Sequence, residues 1–157
     1  MKTTIAVFGK TGREKEIASL IEDAEIIDIS EFPSIPEDTE RLGIICPTVN
    51  GNVPYEVEDY IRNEIGERDN NNLKYIFGIL TYDSKPLWVE SQLSRALSDA
   101  GCVLTYVDKV QDGEDLHSEK MNRIVKDIAN EEFKLAKYSL LYRIFRRFGR
   151  NRKPVEN

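Results

Sequence analysis

The stretch Thr3-Thr4-Ile5-Ala6-Val7-Phe8-Gly9-Lys10-Thr11-Gly12-Arg13-Glu14 sets an apolar run directly against a short glycine-bounded loop and the start of a charged segment. An unbroken run of β-branched and apolar residues suits a strand buried on both faces. The same juxtaposition occurs twice more. Residues 42–46 run into Pro47-Thr48-Val49-Asn50-Gly51-Asn52, and residues 73–81 run into Tyr82-Asp83-Ser84-Lys85-Pro86. Each loop leads into a helical pattern. Strand, loop and helix in this order predict an open parallel sheet, whose ligands gather beyond the carboxyl ends of the strands. Three such loops point to one shared site.

The rest of the chain continues the alternation. Helices are expected at about 14–21, 54–65, 86–100 and 118–133, and further strands at 24–29 and 102–107. Residues 30–41 are acidic and contain Pro33 and Pro36, which makes them a loop or at most a short helix. Pro54 suits a first helical turn. Leu87, Val89, Leu93, Ala96, Leu97 and Ala100 lie close to a 3.6 period, and Gly101 suits a helix stop. Ser118 is placed to cap the last helix, whose apolar face is Met121, Ile124, Val125 and Ile128. Five strands with interleaved helices give an α/β, doubly wound sheet.

The totals agree with one domain. The chain has 157 residues, 40% of them hydrophobic, enough for a buried core. No apolar run reaches the length of a membrane span, and the short apolar start does not resemble a secretory segment, so a cytoplasmic location is expected. Cys46 and Cys102 read as reduced, buried thiols. Charge is distributed unevenly. Residues 1–133 carry 14 Lys and Arg against 27 Asp and Glu, a balance of −13, and residues 134–157 carry 8 basic residues and one acid, a balance of +7. The acidic body argues against nucleic acid as a partner.

The first loop offers backbone N–H groups at a helix start, the Thr11 hydroxyl and the charges of Lys10 and Arg13, all suited to a phosphate. Glu14 opposes this, because its carboxylate satisfies the helix dipole and repels a second anion. With all three loops in view, the chain resembles the flavodoxin-like family, and most of all the flavodoxin half of bacterial two-domain flavodoxin–ferredoxin proteins. Gly9-Lys10-Thr11-Gly12-Arg13-Glu14 is similar to that family's Thr-Gly-Thr-Gly-Asn-Ser loop. Pro47-Thr48-Val49-Asn50-Gly51-Asn52-Val53-Pro54 resembles Pro-Val-Tyr-Phe-Gly-Gly-Leu-Pro, and Thr81-Tyr82-Asp83-Ser84-Lys85-Pro86 resembles Thr-Tyr-Gly-Gly-Ser-Pro.

The resemblance covers residues 3–133, taken as a flavodoxin-like domain at 1–133, and implies strand order 2-1-3-4-5. It also implies that Gly9, Lys10, Thr11, Gly12 and Arg13 face the phosphate of FMN. Thr48, Val49, Asn50, Gly51, Tyr82, Asp83 and Ser84 would then border its ring. The chain departs from the pattern at ligand-facing positions. Glu14 replaces a hydroxyl, Val49 and Asn50 replace aromatics, and Asp83 and Ser84 replace glycines. Tyr82, Tyr55 and Trp88 are the aromatics left to stack on a ring.

Beyond the body, Leu140, Leu141, Ile144, Phe145 and Phe148 form one stripe at helical spacing among Lys137, Arg143, Arg146, Arg147 and Arg150. Residues 134–157 thus read as a basic amphipathic helix and tail. Such a helix packs on its own acidic body or a second copy, docks a partner protein, or lies on an anionic membrane surface. No cysteine follows it, so no iron–sulfur domain is expected. The reading as a whole is an FMN-binding electron carrier serving a redox partner protein, rather than a catalyst with its own substrate. Its alternatives are a flavodoxin-like domain that has lost FMN and acts as a protein-interaction module, or a small FMN-dependent quinone reductase using NAD(P)H.

Overall fold

The computed structural model describes residues 1–9, 11–86 and 88–136. Along the chain come β1 (Thr3–Val7), α1 (Arg13–Ser19), β2 (Ala24–Asp28), β3 (Arg41–Pro47), α2 (Tyr55–Tyr60), β4 (Tyr75–Tyr82), α3 (Val89–Asp99), β5 (Tyr106–Gln111) and α4 (Glu119–Ala129). A single 3-10 turn, Ile29–Glu31, follows β2, and α2 runs on as the π-helical turn Ile61–Ile65. Every strand pairing is parallel, in the order β2-β1-β3-β4-β5. This is the expected five-stranded doubly wound order.

Strand alternation divides the core into two layers. Ala6, Leu42, Ile44, Ile76, Leu80 and Val107 face α2 and α3, where they meet Val57, Tyr60, Leu93 and Leu97. Ile5, Val7, Ile45, Phe77, Ile79 and Val110 face α1 and α4, where they meet Ile17, Met121, Ile124 and Ile128. The central strands β1, β3 and β4 are buried on both faces, which explains their unbroken apolar runs. Ser118 caps α4 as expected, its Oγ accepting the Met121 N–H at 3.2 Å.

Two expectations need correction. The fifth strand is not 102–107 but begins at Tyr106, four residues later, and runs to Gln111. Cys102 and Leu104 are buried from a connecting loop instead. The strand accommodates two charges because each has a partner. Asp108 receives the Lys134 Nζ at 2.6 Å on the α4 side, and Lys109 meets Glu90 at 2.8 Å on the α3 side. The last helix stops at Ala129, short of 133. Glu131 adopts φ 54°, and Lys134 then pairs beside the start of β5. Residues 137–157 lie outside the described residues, and with them nearly all of the expected amphipathic helix. No helix among the described residues is long and apolar enough to cross a membrane.

Gly43, in the middle of β3, lies directly opposite Phe77 of β4. A Cβ at Gly43 would collide with the Phe77 ring. Gly43→Ala is therefore expected to destabilise the domain by about 1–3 kcal/mol through overpacking, measured by urea denaturation with an unchanged m-value.

Candidate functional site

Three loops meet at the carboxyl edge of the sheet, and the first is the most constrained. Gly12, at φ 81°, ends it and starts α1 with no side-chain cap. Glu14, second residue of that helix, is only 3% exposed. Its carboxylate turns back beneath the loop. Oε1 accepts a hydrogen bond from Thr81 Oγ1 at the end of β4, at 3.1 Å. Oε2 is buried without a hydrogen-bond partner among the described residues and lies against Gly9, where a Cβ would collide with it. Glycine at position 9 is thus the counterpart of a buried carboxylate at position 14.

The neighbouring residues turn elsewhere. Thr11 and Gly12 are exposed at the tip, and Lys10 lies outside the described residues. The Arg13 guanidinium donates to the Glu114 carbonyl at 2.5 Å and to the Gln111 carbonyl at 3.4 Å. It braces the first loop against the segment that follows β5.

The second loop is a closed turn. Thr48 extends β3, its N–H donating to the Thr81 carbonyl at 2.9 Å. Val49 and Asn52 then exchange backbone hydrogen bonds of 2.8 and 3.0 Å. Asn50 and Gly51 between them both have positive φ, 52° and 77°. That is the requirement of a two-residue type I′ turn, for which Asn-Gly is the preferred sequence. Val49, Asn50 and Gly51 are exposed, and the turn is clamped from α3. Gln92 accepts the Val53 N–H at 3.0 Å and donates to Asn52 Oδ1 at 2.6 Å.

In the third loop Tyr82 is half-buried, and its carbonyl accepts the Asp112 N–H at 2.7 Å. Asp83 and Ser84 are exposed. The other two candidate aromatics open the helices behind the second and third loops, Tyr55 54% and Trp88 37% exposed. The fold therefore brings every described candidate residue to one edge.

Several residues that shape this edge were not singled out in the sequence. Gln92 and Gln111 are two; the third is an ion pair beneath the rim. Glu90, second residue of α3, meets Lys109 of β5 at 2.8 Å, with side chains 6% and 15% exposed. Its signal in sequence was slight, Asp108 and Lys109 side by side between Val107 and Val110. Cys46, at the end of β3, is fully buried. Burial, with the Glu14 charge adding to it, pushes its thiol well above the ordinary range, so it stays protonated and unreactive. Cys102 is likewise a free, buried thiol.

No protein-family model and no curated protein matches the chain. Solved structures do. Megasphaera elsdenii flavodoxin is 12% identical, over 82% of this chain and 98% of that one, with a TM-score of 0.65. A Lactobacillus acidophilus flavoprotein, solved in complex with FMN, is 13% identical over 69% and 92%, with a TM-score of 0.54. Rubredoxin oxygen:oxidoreductase from Desulfovibrio gigas is 13% identical over 83% of this chain, with a TM-score of 0.65, but only 34% of that longer protein is spanned. The fold is flavodoxin-like.

The resemblance assigns the first loop to an FMN phosphate, and the Glu14 geometry tests that assignment. Two unit negative charges about 5 Å apart, at an effective dielectric near 20, repel by roughly 3 kcal/mol before screening. The chain's own carboxylate already lies within the turn, and Arg13 Nη2 donates to backbone carbonyls, while Nε is buried with no hydrogen-bond partner among the described residues. These residues do not fit an FMN phosphate.

The Glu90–Lys109 pair gives a test of how the rim is held. Glu90→Ala leaves a buried ammonium unpaired and is expected to cost about 3–5 kcal/mol. The Glu90→Leu/Lys109→Met double variant should recover most of that loss in the same urea titration, because both charges leave together.

Proposed function

We propose that this protein is a flavodoxin-fold module that holds no FMN and works by docking another protein on the carboxyl edge of its sheet. The observation that carries this reading is the Glu14 carboxylate, 3% exposed inside the first loop. The surface around it is suited to a protein. Glu56, Asp83, Asp112 and Asp115 are exposed on the segments that form this edge. Tyr55 and Trp88 stand among them as exposed aromatics. Aromatic anchors within a polar rim are the composition of protein interfaces, and an acidic rim steers a basic partner face.

The second reading is an FMN electron carrier for a redox partner. Tyr55 and Trp88 favour it, since they border the two loops that the resemblance assigns to the flavin ring.

Flavin fluorescence titration separates the two. The module reading expects no saturation with FMN up to about 100 µM, which corresponds to binding weaker than roughly −5.5 kcal/mol. Glu14→Ser should tighten FMN binding by at least tenfold at low salt. Micromolar binding by the unaltered protein would overturn the module reading in favour of the electron carrier. A Glu14→Ser variant that binds no better would remove carboxylate repulsion as the reason.

A further inference from the structure

We propose that residues 137–157 of this same chain cover an apolar shelf along the outer edge of β5. The three most exposed large apolar side chains among the described residues are Phe133 at 76%, Val103 at 70% and Leu135 at 66%. All three belong to segments running beside or into β5. The Lys134 N–H donates to the Thr105 carbonyl at 2.9 Å, and the Val107 N–H donates to the Lys134 carbonyl at 3.0 Å. The strip around Lys134 therefore lies parallel to the start of β5. Lys134 sends its Nζ to Asp108 on the α4 side of the sheet. Phe133 and Leu135 flank Lys134 on this strip, beside the start of β5, and both stay exposed. Val103 enters the same edge, and with Thr105, Leu73 and Cys102 it borders a pit of about 220 Å³.

A soluble protein rarely leaves such a group of apolar side chains uncovered. Three observations name the occupant. The first is continuity. Ala136 is buried in the core layer on the α3 side, so the next residue starts beside the shelf. A tethered segment has an effective concentration that a second molecule does not reach. The second is pattern. The 21 residues from 137 to 157 include Leu140, Leu141, Ile144, Phe145 and Phe148, apolar residues at helical spacing. The third is charge. Those residues hold seven Lys and Arg and one Glu, and residues 1–133 have a balance of −13. Glu132 and Asp99, both exposed, lie in the segments that flank the shelf. The inference is independent of whether the carboxyl edge binds flavin.

The experiment uses the full chain. Amide hydrogen exchange is compared between the unaltered protein and Leu141→Asp/Phe145→Asp. Peptides containing Val103, Phe133 and Leu135 are expected to exchange at least tenfold faster in the variant, with β1, β3 and β4 unchanged and both proteins monomeric by light scattering. Should the variant fail to fold, a nitroxide on Asn151→Cys in the otherwise unaltered chain gives the same answer. Cys46 and Cys102 are buried and leave that label selective. Broadening of the Val103 and Leu135 resonances, independent of protein concentration, is expected. The proposal is overturned by unchanged exchange or absent broadening. It is also overturned by protection that rises with concentration alongside a dimer mass, or by protection that appears only with phosphatidylglycerol-containing vesicles.

Discussion

A buried carboxylate inside a tight turn must find hydrogen bonds, opposite charge or a helix dipole, or it destabilises the fold. Glu14 has two of these, the Thr81 hydroxyl and the amino terminus of α1. The arrangement constrains the rest of the edge. A side chain at position 9 would push the Glu14 carboxylate out of its place. Thr81, next to last in β4, must keep its hydroxyl on the α1 side. The first loop then closes over an anion supplied by the chain itself. A helix start that faces a phosphate in a nucleotide-binding fold faces a carboxylate here.

The surrounding loops are secured in the same spirit, by contacts within the chain. Arg13 ties the first loop to carbonyls after β5, Gln92 clamps the second from α3, and Asp112 holds the Tyr82 carbonyl of the third. A surface of this kind is preorganised, and preorganisation favours recognition of a rigid partner because little ordering cost remains on binding.

Much of this was legible in the residues. Apolar β-branched runs ending in short loops predicted β1, β3 and β4, because strands buried on both faces tolerate few polar residues. The Asn50-Gly51 pair carries the signature of its turn. Other features were hidden because they depend on contacts distant in sequence. The expected fifth strand stopped at Val107, short of Asp108 and Lys109, and only Lys134 on one side and Glu90 on the other explain their place in a strand. Glu14 reads as a group that repels a ligand at a helix start. Its burial depends on Thr81, 67 residues away, and no local pattern reports that.

β5 links the two ends of the argument. Its adjacent charges point to opposite faces, and each fixes a different piece of the molecule. Lys109 holds the start of α3 through Glu90, and so sets the floor beneath the third loop. Asp108 holds Lys134, and so sets the register of the strip that carries Phe133 and Leu135 along the outer edge. Paired charges at these depths are poor sources of net stability, because desolvation offsets most of their attraction. What they supply is placement. An apolar pair at the same positions would pack with many neighbours, whereas an ammonium and a carboxylate accept few arrangements. The most polar strand of the sheet therefore orients both the acidic rim and the apolar shelf. That dependence is why a strand with two charges in its centre belongs in this core.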